Sequence, residues 1–360
     1  MLLKKNVIQA GFVLCLLFSV TSFASDKLIF AADIIRHGDR TPTNTIPNAP
    51  YSWPQGLGQL TAQGMQQEYM LGLQMHKRYI QENHLLPEHY LANTMYVRSS
   101  DLNRTLMSAE SFLLGLYPLG TGPNLSASGG HSALPANYQP IAINTVPKEE
   151  EALLLPDANK SEYNTLVAKY VFSQPEWLQK TAEFKNKCAL WQKATGYPLN
   201  HLDSVILFGD NLFVRKTHHI NLPPGITHAD ADEIIATGNW ALVTKFKPTI
   251  IGKTLSRPLL VTIANDFTNA SLHLSSLKYA LFAGHDITIL SMMSALENPL
   301  TEPPHYASDL NFSLYENENK NYYVKITYNG IPVSIPGCSS DCPLEQFNNF
   351  VKSQNANNPT

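Results

Sequence analysis

Charge is scarce in this chain of 360 residues: Asp, Glu, Lys and Arg make up 15% of it, against 44% hydrophobic residues. That balance excludes a largely disordered polymer and leaves ample material for a buried core, in one large domain or two ordinary ones. Nor is there a basic excess. With 26 Lys+Arg against 29 Asp+Glu the formal charge is −3, and no basic stripe is present that would track nucleic-acid phosphates, so a nucleic-acid partner is not expected. The sequence has no Walker loop, no Gly-x-Ser-x-Gly elbow and no His-Glu-x-x-His helix, which removes the common nucleotide, ester and metallopeptide hydrolases. Cysteine is limited to four residues.

The one long apolar run lies at the N-terminus and reads as a signal to be removed. Lys4 and Lys5 precede an apolar stretch from Phe12 to Val20, and Ser22-Phe23-Ala24 supplies the small residues of a cleavage site after Ala24. The run falls short of the roughly 20 residues that a spanning helix needs. Residues 1–24 are therefore expected to be a signal peptide, the mature chain to be secreted or periplasmic, and no membrane span to remain. Cys15 leaves with the signal, so Cys188, Cys338 and Cys342 cannot all pair. Cys338 and Cys342, in Pro-Gly-Cys-Ser-Ser-Asp-Cys-Pro, read as a local disulfide; the rival, half of a zinc site, lacks an evident second pair of ligands. Cys188 reads as a small buried hydrophobe.

Three times along the mature chain an apolar run stops at a polar island. Leu28 to Ile35 meets Arg36-His37-Gly38-Asp39-Arg40-Thr41-Pro42. Thr94 to Val97 meets Arg98-Ser99-Ser100-Asp101-Leu102-Asn103-Arg104 and continues into an apolar-faced helix over 105–116. Leu277 to Ala283 meets Gly284-His285-Asp286 and passes into a helix over 287–296. Strand, polar turn and helix in repetition predict an α/β fold, a mostly parallel sheet with helices on both faces. In such sheets ligands sit beyond the carboxyl ends of the strands, so islands about 60 and then about 180 residues apart are expected to converge.

Between Leu57 and Ile80 the spacing of Met65, Tyr69, Leu73 and Ile80 predicts a helix burying that face, capped by Thr61, with Gly72 allowing close packing. Residues 118–137 turn to Gly, Pro, Ser and Asn and read as a surface loop. Helical stretches dominate from about residue 149 to 247, after which strand-like runs return at Leu259 to Ile263, Tyr279 to Ala283 and Tyr322 to Tyr328. The expected organisation is an α/β domain from 25–120 and 250–350, a mainly helical insertion over 121–249, and a tail over 351–360.

The islands would bring Arg36, Arg40, Arg104, His37, His285 and Asp286 to one cleft. Three clustered guanidinium groups repel one another unless an anion offsets the cost, and their forks match phosphoryl oxygens. His37, beside two arginines, would be kept unprotonated as a nucleophile. Asp286, if protonated, could give a proton to a departing alkoxide, which implies an acid optimum. A protein that merely binds a phosphate ligand would need the arginines but neither His37 nor Asp286.

Arg36-His37-Gly38-Asp39-Arg40-Thr41-Pro42 with the distant His285-Asp286 resembles the paired hallmarks of the histidine acid phosphatases. The likeness extends through residues 53–61, 98–105 and 337–343, touches most of the sheet domain, and is nearest the prostatic and lysosomal branch. It implies a phosphoglycerate-mutase-like fold and hydrolysis of phosphate monoesters through a phosphohistidine on His37. Asp286 would be the proton donor, and Arg36, Arg40, Arg104 and His285 the phosphate ligands, with no metal and no cofactor. Small phosphomonoesters, phosphotyrosine and nucleotides among them, are the implied substrates, and a homodimer the implied assembly. A phytase or sugar-phosphate phosphatase on the same scaffold is the alternative, although Ile287 and Thr288 depart from the phytase pattern. Arg98 reads as a brace between strand and helix, Asp39 and Asp101 as groups that orient arginines, and His218, His219 and His228 as surface residues without zinc spacing. Asn124, Asn269 and Asn311 each begin a glycosylation pattern, relevant only in a eukaryotic source.

Overall fold

The computed structural model describes residues 26–125 and 130–354. The expected signal at 1–24 lies outside the described residues. Chain order is β1 (Lys27–Arg36), α1 (Ala62–His76), β2 (Met95–Ser99), α2 (Asn103–Leu116), α3 (Lys160–Val167), α4 (Pro175–Thr195), α5 (Val205–Thr217), α6 (His228–Phe246), α7 (Thr249–Ser271), β3 (Tyr279–Gly284), α8 (Asp286–Ala295), β4 (Asp309–Glu316), β5 (Tyr322–Tyr328), β6 (Ile331–Pro332), β7 (Cys342–Pro343) and α9 (Leu344–Ser353).

The strands form one sheet in the order β2-β3-β1-β4-β5-β6, with β7 added on β5. β2, β3 and β1 are parallel neighbours, and β4 and β5 extend them antiparallel. Each face is read off β1. Ala31 and Ile35 pack under α1 and α2, whereas Phe30, Ala32 and Ile34 pack under α7, α8 and α9. Burial on both faces is why β1 and β3 read as nearly continuous apolar runs. The α/β expectation holds, with an antiparallel flank that the sequence pattern did not announce.

β4 was not anticipated, although Asp309, Asn311 and Ser313 alternate with Leu310, Phe312 and Leu314 in the period of a strand. All six are buried. Asn311 donates to Asp33 Oδ1 at 2.6 Å, so it is no glycan acceptor. Leu259 to Ile263 is not a strand: it lies inside α7, which buries Leu255, Leu259, Leu260, Ile263 and Phe267 at helical spacing and accommodates Pro258. Val351 is buried on α9, so that helix runs into the segment expected to be a tail.

Thr61 caps α1 as expected, its hydroxyl accepting from Gly64 N at 3.1 Å. The buried face of α1 differs from the one expected. Gly64, Glu68, Leu71, Gly72 and Met75 turn inward, while Met65 is exposed. The helix docks through backbone instead of large side chains: a Cβ on Gly72 would stand 2.0 Å from Phe112 O. α3 to α6 enclose an apolar core of their own, which Ile46 and Leu290 join to the rest. Cys188 is buried in it, and Cys338 and Cys342 are disulfide-bonded just ahead of α9.

Under α1 lies a group of buried acids. Asp33 accepts from the hydroxyls of Tyr79 and Tyr279, and Glu68 has no hydrogen-bond partner for either oxygen. Burial raises the pKa of Asp33, Asp309 and Glu68, the Asp33 charge adds to it at Asp309, and Arg78 opposes it at Asp33 and Asp309. A carboxyl whose folded pKa is raised costs stability only once the unfolded chain can ionise it. The penalty is therefore absent in acid and grows as pH climbs above the ordinary carboxylate range. In thermal melts, the Tm of Glu68→Gln relative to wild type should be more favourable at pH 8 than at pH 5 by about 3 °C.

Candidate active site

The register of the three parallel strands brings the polar islands together. Arg36 is opposite Gly284 across β1 and β3, and Ser99 is opposite Ala283 across β2 and β3. His37 N then donates to Gly284 O at 3.1 Å and Ser100 N to Ala283 O at 3.3 Å. Three chain segments leave the sheet side by side at its carboxyl end. Arg104 follows on the first turn of α2, and Asp286 opens α8.

His37 is 2% exposed. Its Nδ1 lies 2.9 Å from Gly38 O; a carbonyl only accepts, so Nδ1 carries the proton and Nε2 keeps its lone pair. Burial depresses the imidazolium first, and Arg104, His285, Arg40 and Arg36 add to it, so its pKa lies well below the usual value. His285 is neutral for the same reasons, burial first and Arg104 next, its pKa brought down to about 3. The two rings stand edge to face with centroids 5.4 Å apart. Ser100 Oγ holds His285 Nε2 at 2.8 Å.

The arginines are held unequally. Arg36 donates to Asp286 Oδ2 at 3.0 Å and to the carbonyl of Pro304, and its guanidinium lies 4.4 Å from the centre of the Tyr306 ring. Arg40 grips both oxygens of Asp210 at 2.9 Å. Arg104 has no ion pair among the described residues. Burial and then Arg40 bring its pKa down to about 10. The Nε donors of all three arginines are buried without a partner, as is the hydroxyl of Tyr306.

Asp286 is ionised in this arrangement. Burial favours its neutral form, but Arg36 and then Arg40 outweigh that and lower its pKa. The sequence left open whether Asp286 begins protonated; its salt bridge to Arg36 favours the carboxylate. Asp39 does not orient an arginine: its Oδ2 takes Thr61 Oγ1 at 2.5 Å and His218 Nε2 at 2.8 Å. His218 is accordingly no bystander on the surface, and its ring also meets Trp53, edge to face. Arg98 is a brace. It donates to Glu151 Oε2 through Nε at 3.1 Å and Nη2 at 3.0 Å, and the backbone N–H groups of Leu153 and Leu154 hold Oε1. Asp101 is exposed.

Asp210, Tyr306 and Ser100 were not singled out by sequence pattern. Asp210 sits mid-helix and Tyr306 in a loop, 170 and 266 residues beyond Arg40, and no local signal marks either. Among the described residues, no cluster of His, Cys, Asp and Glu could hold a metal ion. No helix there is long and apolar enough to cross a membrane.

The chain belongs to branch 2 of the histidine phosphatase superfamily, whose family description matches residues 27–329. Lysosomal acid phosphatase of Xenopus laevis is 32% identical over 354 residues, covering 94% of this chain and 79% of that one. Human prostatic acid phosphatase is 31% identical over 371 residues, covering 98% and 92%. The phytase of Hafnia alvei in its apo form has a TM-score of 0.66 at 19% identity, covering 93% of this chain and 98% of that one, and shares the fold.

The His37 loop rests on α1 without clearance. A Cβ on Gly64 would stand 2.2 Å from Asp39 O, and one on Gly38 2.4 Å from Gly64 O. Such overpacking costs about 1–3 kcal/mol and moves backbone. Gly64→Ala should lower kcat on p-nitrophenyl phosphate by about tenfold or more, since a displacement near 1 Å at the reacting group is felt that strongly, while circular dichroism still shows a folded chain.

Proposed function

We propose that the protein is an acid phosphatase that hydrolyses phosphate monoesters through a phosphohistidine on His37. One observation carries the reading: three buried guanidinium Nε donors without partners surround an imidazole whose free Nε2 is kept unprotonated. Unmatched buried donors of one sign call for an anion, and a poised nucleophile among them calls for one that reacts. The acid phosphatases similar to this chain support the same conclusion.

The substrate phosphoryl group sits among Arg36, Arg40, Arg104 and His285, which share its charge as it transfers. His37 Nε2 forms the N–P bond while the ester P–O bond breaks, and the departing oxygen takes a proton from Asp286. Because Asp286 starts ionised, that proton arrives with the substrate. A phosphate monoester keeps one acid proton below its second pKa of about 6. Its negative charge draws Arg36 away from Asp286 and raises the carboxyl's affinity for that proton. Ionised again, Asp286 takes a proton from water as water attacks phosphorus and the N–P bond breaks, returning His37. Activity falls as pH rises through the second ionisation of the substrate, while His37, depressed by its neighbours, remains a nucleophile in acid. No step uses a metal or cofactor.

The exported mature chain, the homodimer, the division into an α/β unit and a helical insertion, and phosphotyrosine or nucleotides as substrates belong to the same reading. A neutral carbonyl partner for Nδ1 and an acid across the cleft favour turnover over mere phosphate binding.

His37→Ala should leave no measurable phosphate release from p-nitrophenyl phosphate and no acid-labile phosphoenzyme in rapid quench; undiminished turnover would overturn the nucleophile assignment. Asp286→Asn should slow phosphoenzyme formation by about 10²-fold or more for alkyl phosphates and far less for p-nitrophenyl phosphate, whose leaving group needs no proton. Equal losses on both substrates would remove Asp286 as the proton donor.

A further inference from the structure

Three guanidinium groups, on Arg36, Arg40 and Arg104, stand about the two neutral histidines, and two carboxylates, Asp286 and Asp210, are paired directly with them, while Asp39 is taken up by Thr61 and His218. The sum, 3 − 2 = +1, balances one phosphoryl group and leaves nothing for another. Asp210 is the carboxylate that no catalytic step uses. It retains 19% exposure at its side chain while both its oxygens engage Arg40.

Its place on α5 gives it a view of the departing half of the substrate. Tyr306 packs beside His37 with ring centres 5.9 Å apart, and Phe213, one turn beyond Asp210, continues outward 6.4 Å from Tyr306 and is exposed. Two aromatic rings therefore lead from the His37 imidazole outward, and Asp210 lies one turn from the outer one. The Tyr306 hydroxyl is buried without a partner, and the Tyr306 ring lies against the Arg36 guanidinium. On the far side of Arg104 an opening of about 430 Å³ carries Lys148, but Asp101 lines it too. Neither exit offers a surplus cation.

We propose that Asp210 is a specificity-determining residue that restricts the site to substrates bearing a single phosphate. Neutral or amine-bearing leaving groups with an apolar face pass along α5, and a second phosphate is repelled there. The proposal rests on the phosphatase reading given above. When the phosphoryl group draws Arg40 toward itself, an oxygen of Asp210 is released to accept from a hydroxyl or ammonium group of the leaving half, which a second phosphate cannot supply.

The test is a matched pair, fructose 6-phosphate and fructose 1,6-bisphosphate, with p-nitrophenyl phosphate as reference. Wild type should prefer the monophosphate in kcat/KM by about tenfold or more, and the preference should shrink as ionic strength rises, because it is a repulsion between partly exposed charges. Asp210→Asn should lower turnover on all three, having lost the brace on Arg40, yet narrow the ratio within the pair by about tenfold; Asp210→Glu should restore it. A ratio unchanged by Asp210→Asn, or a wild-type preference that grows with salt, overturns the proposal. The salt series needs no variant and decides even if Asp210→Asn does not fold. Release of phosphate from none of the three would instead defeat the phosphatase reading itself.

Discussion

The constraint on which this site depends is the mutual exclusion of positive charges in a space closed to water. Burial disfavours the charged imidazoles first, and Arg36, Arg40 and Arg104, which cannot shed their protons, add to it, so the histidines give theirs up. In a medium acid enough to keep a phosphate ester singly ionised, an ordinary histidine, with a pKa near 6.5, would be largely protonated and unreactive. In the proposed reaction the arginines that would bind the substrate also help keep the His37 nucleophile available. Binding and activation are one electrostatic arrangement, and an arginine removed from it would weaken both.

That arrangement costs free energy, and the surrounding structure offsets it in particular ways. Asp286 and Asp210 occupy two of the three guanidinium forks, while the ring of Tyr306 lies across Arg36. The sheet register sets the spacing of the islands, and the glycine contact between the His37 loop and α1 holds the loop against the helix. α5 is attached by complementary pairs, an acid onto Arg40 and a histidine onto Asp39. Phe213 adds an aromatic contact with Tyr306, and Asn211 and Arg215 tie α5 to Asn44 and Ala49 in the segment after β1.

Much of this was legible in the sequence because the residues proposed to react sit next to strand ends, where an apolar run breaks sharply. Arg36 to Arg40, Arg104, His285 and Asp286 share that signature, and the sheet does bring them together. What stayed illegible has physical causes. β4 hides its membership because its polar residues satisfy one another inside the core, as Asn311 does with Asp33. α1 conceals its inner face because it packs through Gly64 and Gly72, which no hydrophobic pattern records. The run after Pro258 imitated a strand through its composition, although Leu255, Leu259 and Ile263 already carried helical spacing. Asp210 and Tyr306 act only by tertiary placement, and neither has a neighbour in sequence to mark it.

The carboxylate of Glu151 is fully enclosed, and it gathers Arg98 from β2 together with two amides of its own turn. One step on, Leu154 receives the hydroxyl of Thr288 on α8. The chain departing toward α3 is therefore riveted to two neighbouring strand-and-helix units before its excursion begins. Glu151 and Leu154 thereby fix where that excursion leaves the sheet, beside the ends of β2 and β3 from which the polar islands emerge.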